Sequence, residues 1–91
     1  LLPFKYLTVA DPDRRMRVAG ADVAAVLNES DLSHLGQTDH RGTLRIRREA
    51  IPQVQYVIAC LEGRCGAIDG TTLVHDSSPL ILLPPKPRMI L

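Results

Sequence analysis

No Trp occurs in this chain, and Phe4, Tyr6 and Tyr56 are its whole complement of Phe, Tyr and Trp. Aromatic side chains bury the largest areas in most cores, so this core must be assembled from Val, Ile, Leu and Ala and is thin for its length. At 91 residues, folding hides roughly 60–65% of the surface the unfolded chain exposes. A second independent core is therefore not expected.

The formal charge is +1, from 11 Lys and Arg against 10 Asp and Glu, which provides no net field to draw the molecule onto nucleic acid or anionic lipid. Binding of that kind needs a local patch. The positive charge is mostly Arg, with Lys only at Lys5 and Lys86, and Arg suits fixed planar hydrogen bonding. The longest strongly apolar run, Leu80-Ile81-Leu82-Leu83, is too short to cross a bilayer, so no membrane insertion is expected. The chain begins with Leu1 rather than Met and reads as a processed product or a piece of something longer.

Cys60 and Cys65 stand in Cys-Leu-Glu-Gly-Arg-Cys. One close pair is not a disulfide framework, and two cysteines do not complete a four-ligand zinc site. Two reduced, partly buried thiols are the favoured reading. A local disulfide across the Gly63 turn is the alternative, and implies an oxidising compartment.

Pro3 to Val9 is rich in β-formers and ends at Asp11-Pro12-Asp13, which predicts a first strand. Arg14 to Val18 reads as a short second strand or an irregular basic connection. Asp22 precedes Val23-Ala24-Ala25-Val26-Leu27, where Val23, Val26 and Leu27 share a helical face, and this predicts a helix with Asp22 as its cap. Ser30 to Gly36 reads as a continuation of that helix or as a separate capped turn closed by Gly36, of which the turn is favoured. In Thr43-Leu44-Arg45-Ile46-Arg47 apolar and polar residues alternate, which predicts a strand with Leu44 and Ile46 inward and Thr43, Arg45 and Arg47 outward.

Ile51, Val54, Val57, Ile58 and Leu61 fall on one stripe behind Pro52, which predicts a helix closed by Gly63, with Tyr56 on its far side. Asp69-Gly70 between two β-prone runs predicts a tight hairpin turn. Leu80 to Leu83 reads as a strand buried on both faces. The expected fold is α+β, two short helices packed on one or two small mixed β-sheets in the order β-α-β-α-β-β-β. Residues 1–83 are expected to form the single domain, and 84–91 a proline-rich extended C-terminal tail.

From Gly42 to Val74, the order of strand, Pro-led amphipathic helix, strand, Asp-Gly turn and strand resembles half of the small signalling and N-terminal domains of secretins and TonB-dependent receptors. The pattern covers about a third of the chain, and the first half departs from it by a short helix and a long loop. That resemblance implies a periplasmic interaction module of a secretion or transport complex, with no catalytic residues to carry over.

No phosphate-binding glycine loop, nucleophile elbow, His-Glu zinc helix or calcium loop is present, so no cofactor and no metal are expected. His34, His40 and His75 with Asp39 and Asp76 are the residues from which acid–base chemistry would have to be assembled. Arg41, Arg45, Arg47 and Arg48, with Arg14, Arg15 and Arg17, form one basic face if the early connection lies beside the central strand. Few aromatic residues are present for base stacking, which ranks nucleic acid below a protein partner. The apolar ends, Leu1-Leu2-Pro3-Phe4 and Met89-Ile90-Leu91, cost solubility unless covered. The leading expectation is a non-enzymatic protein–protein interaction domain, a subunit or module of a larger assembly or a homo-oligomer. Its expected partner-binding residues are Arg45, Arg47, Tyr56, Met89, Ile90 and Leu91.

Overall fold

Period-two burial establishes the central strand, β1 (Phe4–Asp11): Lys5, Leu7, Val9 and Asp11 are buried, and the residues between them face outward. The structure, a computed structural model, describes residues 3–28 and 31–85. β2 (Met16–Arg17) and β5 (Thr43–Arg47) pair antiparallel with β1, and β8 (Leu80–Leu82) pairs parallel to it, giving a mixed four-stranded sheet. β2 and β5 follow one another along one edge of β1. Val9 N–H donates to the Gly42 carbonyl and Val18 N–H to the Val9 carbonyl there, while Thr8 N–H donates to Pro79 on the β8 edge.

The second sheet is antiparallel throughout, in the order β4 (Leu32–Gln37), β3 (Asp22–Val26), β6 (Tyr56–Leu61), β7 (Arg64–Asp69). A 3-10 helix, Arg48–Gln53, joins β5 to β6, and α1 (Gly70–His75) joins β7 to β8. One aliphatic core lies between the sheets. Leu7, Val9, Ile46 and Ile81 enter it from the first, Val23, Ala25, Val57 and Ala59 from the second, and Ile51, Val54 and Leu73 close it on the helical side. The chain is thus an α+β domain with two short helical segments packed on small sheets, one of them mixed, as the class expectation had it.

The element order differs from expectation, and each difference has a physical cause. The predicted helix at Asp22 is β3: in Val-Ala-Ala-Val, burial alternates through Val23 and Ala25, and Asp22 accepts from Gln37 Nε2 at 2.8 Å instead of capping. The predicted helix behind Pro52 is a 3-10 turn followed by strand β6. Val54 and Val57 are buried as expected and Leu61 packs against the core, but Ile58 lies on the outer side with Tyr56 and Cys60. The element pattern behind the resemblance to secretin and receptor signalling domains is therefore missing here. Of the segment Ser30 to Gly36, expected to be a turn, Leu32 to Gly36 belongs to β4, and Ser30 lies outside the described residues.

Gly63 closes no helix. With Glu62 it forms the two-residue turn of the β6–β7 hairpin, both residues at positive φ (53° and 77°). Asp69-Gly70 is not a hairpin turn: Asp69 caps α1, its carboxylate accepting from Thr72 N–H at 2.7 Å. That hydrogen bond, with a second from the Thr72 side chain, lowers the Asp69 pKa. Gly70 is required because a Cβ there would collide with the Val54 carbonyl oxygen. β8 is buried on one face only, Ile81 inward with Leu80 and Leu82 exposed. Cys60 and Cys65 are not free thiols but a disulfide between directly paired residues of β6 and β7, beside the hairpin turn.

Two charged side chains sit in the buried row of β1. Lys5 Nζ donates to the Val74 carbonyl at 2.8 Å, tying β1 to the end of α1. At the other end Asp11 accepts from Arg64 of β7, and Arg64 Nε also donates to the Pro84 carbonyl at 2.7 Å. Hydrogen bonding from Arg64 outweighs the effect of burial and holds the Asp11 pKa down at about 2.

Candidate functional site

Because β1 turns its odd-numbered residues into the core, its even-numbered ones line the outer face of the first sheet. Cross-strand pairing then fixes their neighbours: Phe4 lies opposite Arg47, Tyr6 opposite Arg45 and Thr8 opposite Thr43. On the other edge Leu80 stands beside Thr8 and Leu82 beside Ala10. Tyr6 is 51% exposed, Leu80 42% and Leu82 55%. Two of the chain's three aromatic rings, two arginines and two leucines therefore share one solvent-facing surface.

The arginines differ in what holds them. Arg45 lies over the Phe4 ring, its guanidinium carbon 4.7 Å from the ring centre, and no carboxylate pairs with it among the described residues. Arg47 reaches Glu49 at 3.3 Å, an exposed pair that contributes little. Below them the turn into β5 is built on Asp39, whose carboxylate accepts from the N–H groups of Arg41 (2.8 Å) and Thr43 (3.1 Å). The Thr43 N–H is the chief cause of a lowered Asp39 pKa.

Of the residues expected from sequence to bind a partner, Arg45 and Arg47 thus lie side by side on this surface. Tyr56 does not join them: it opens β6 in the second sheet, 52% exposed, paired with Val26 and Asp69. Met89, Ile90 and Leu91 lie outside the described residues. Tyr6, Leu80 and Leu82 were not singled out from sequence. Tyr6 stands out of phase with the inward Leu7 and Val9, but Lys5, a charge in the inward row, hides that alternation in the sequence, whereas the exposure of Leu80 and Leu82 depends on β8 lying at the rim of the sheet.

The residues weighed for acid–base chemistry are dispersed. His34 is on β4, His40 in the turn before β5 and His75 at the end of α1, and no hydrogen bond or ion pair links any two of them among the described residues. Among those residues no group of three His, Cys, Asp or Glu is placed to hold a metal ion, and no helix is long and apolar enough to cross a membrane. A shallow groove of about 220 Å³ runs between the 3-10 helix and α1, with Ile51, Pro52 and Val54 on one wall and Val74 and His75 on the other. No protein-family model matches this chain, and no curated protein matches it either.

Proposed function

We propose that this domain is a non-enzymatic protein–protein interaction module whose contact surface is the outer face of the first sheet, centred on Tyr6 and flanked by Arg45, Arg47, Leu80 and Leu82. The observation that carries this reading is the half-exposed Tyr6 directly opposite Arg45, on the same face as the exposed Leu80 and Leu82, which stand beside Thr8 and Ala10 further along β1. With Trp, Tyr and Arg are the residue types enriched among those that carry most binding energy at protein interfaces, Tyr as a rigid plane with few rotors to fix and Arg as a planar fork of donors. Arg45 is already restrained on Phe4, so less freedom is lost when a partner engages it. The same stacking covers a face of the Phe4 ring, which weighs against a base-stacking surface for nucleic acid. The Cys60–Cys65 disulfide supports operation in an oxidising compartment.

Affinity isolation from the source at physiological and at high salt tests the reading. The full chain is expected to retain its partner at both, because apolar contact around Tyr6 and Leu82 survives screening. Tyr6→Ser and Leu82→Ser are expected to lose it with an unchanged melting temperature. Retention by both variants contradicts the proposal.

A further inference from the structure

The first sheet ends at β5, whose inner edge pairs with β1 and whose outer edge pairs with no strand among the described residues, although β4 of the second sheet packs near its start. The phase of the ladder determines which main-chain groups that edge presents. Val9 N–H donates to the Gly42 carbonyl at 2.9 Å and Arg48 N–H to the Pro3 carbonyl at 3.0 Å. Leu44 and Ile46, in step with these, turn their main-chain groups to β1, and Thr43, Arg45 and Arg47 turn theirs away from it. Thr43 is already satisfied, its carbonyl by Asp39 N–H at 2.9 Å and its N–H by Asp39 Oδ1 at 3.1 Å. Arg45 is the residue at which the edge stands open, and an open edge is a template for an added strand.

Charge along the edge selects what can add. From Asp39 to Glu49 the chain carries Arg41, Arg45, Arg47 and Arg48 against those two carboxylates alone. The Asp39 carboxylate is engaged by Arg41 N–H and by Thr43. A second copy of β5 is disfavoured, since antiparallel pairing through this edge sets Arg45 and Arg47 against their own kind, and like charges directly opposite one another are destabilising. A strand bearing carboxylates meets no such obstacle. Side chains that meet Arg45 and Arg47 on one face must come from alternate positions of that strand.

We propose that the outer edge of β5 binds an extended acidic segment of a partner protein as an added antiparallel strand, its main chain paired with Arg45 and its alternate carboxylates meeting Arg45 and Arg47. This rests on the reading of the Tyr6 face as a protein-contact surface, and names the chemistry of the partner that its β5 border takes.

Titration of the full chain with synthetic peptides tests it. A peptide of alternating Glu and Val is expected to bind at least about tenfold more tightly than the same residues sorted into a Glu block and a Val block. Arg45→Ala, at an exposed position and so expected to leave folding intact, is expected to weaken the alternating peptide by a similar factor. In antiparallel addition the Glu residues opposite Arg45 donate their N–H groups to β5, and the Val N–H groups point away. N-methylation at Glu is therefore expected to abolish binding and N-methylation at Val to leave it; any other pattern overturns strand addition. Displacement of the peptide by an equal concentration of single-stranded oligonucleotide also overturns it, since the edge would then be responding to negative charge alone. Failure of the peptide while Tyr6→Ser still costs the natural partner overturns strand addition and leaves the surface reading standing. Failure of the peptide with the partner retained by Tyr6→Ser overturns both.

Discussion

Arg64 holds Asp11 through two parallel hydrogen bonds, Nη1 to Oδ2 at 2.8 Å and Nη2 to Oδ1 at 2.9 Å, with both side chains almost wholly buried. The pair joins the end of β1 in one sheet to the start of β7 in the other. Through Nε the same guanidinium also holds the Pro84 carbonyl, so one side chain fastens three segments. Planar two-point geometry of this kind is available to Arg and not to Lys.

Removing one partner leaves the other buried with only a longer ion pair, Arg64 to Asp13 at 3.7 Å or Asp11 to Arg14 at 3.6 Å, which costs more than the pair is worth. Asp11→Ala and Arg64→Ala are each expected to lower the melting temperature by more than about 10 °C, measured by circular dichroism. Arg64→Lys is expected to recover only part of that, because a single ammonium cannot make both bonds.

The same carboxylate makes stability depend on pH in a defined window. Asp11 falls from an ordinary value of 3.8 to about 2 in the folded protein, so the unfolded chain takes up its proton first. The contribution is complete above about pH 4 and is lost as pH falls towards 2. Asp39 and Asp69, both lowered by backbone N–H groups, add to the slope in the same direction. Urea midpoints measured between pH 2 and pH 6 are expected to fall on the acid side, and Asp11→Asn is expected to flatten that fall.

Gly70→Ala is expected to destabilise the domain by about 1–3 kcal/mol, since a methyl group meets the Val54 carbonyl oxygen and forces the start of α1 away from the 3-10 helix. Chemical denaturation reads this directly. The cause is close approach of two backbones, not the positive φ that a hairpin at Asp69-Gly70 would have required.

That reversal shows where the sequence was legible and where it was not. β1 was readable because Pro3 to Val9 is rich in β-formers before a turn signal, and β5 because apolar and polar residues alternate in it; that alternation pointed Arg45 and Arg47 outward. β3 was misread because Val23, Val26 and Leu27 satisfy a helical face while Val23 and Ala25 satisfy a strand, and small Ala residues do not choose between the two. The stripe from Ile51 to Leu61 is real in composition, but it divides between a 3-10 turn, the inner face of β6 and its outer face. Glu62 takes a positive φ that its residue type seldom signals, so the true hairpin was invisible, whereas Asp69 served the other role for which Asp is suited, an N-cap. The grouping of Tyr6 with Arg45 depends on the β1–β5 register, which joins residues too far apart in the chain for a local pattern to specify.

The disulfide closes a small loop around the Glu62-Gly63 turn. Replacing both cysteines by Ser is expected to lower stability by about 2 kcal/mol, with the fold retained, because the β6–β7 ladder keeps its main-chain bonds. Thiol titration of the unfolded, unreduced protein is expected to find no free thiol; two titratable thiols would contradict the bridge.

Site-specific photo-cross-linking tests the contact surface most directly. A benzophenone side chain is placed in the full chain at position 6 or 82 on the outer face of the first sheet, and at position 32 or 74 elsewhere on the exposed surface. Irradiation in extracts of the source is predicted to give one discrete protein adduct from positions 6 and 82, lost when Arg45 and Arg47 are both changed to Glu, and none from positions 32 and 74. Adducts from 32 or 74 with none from 6 and 82 would contradict the account.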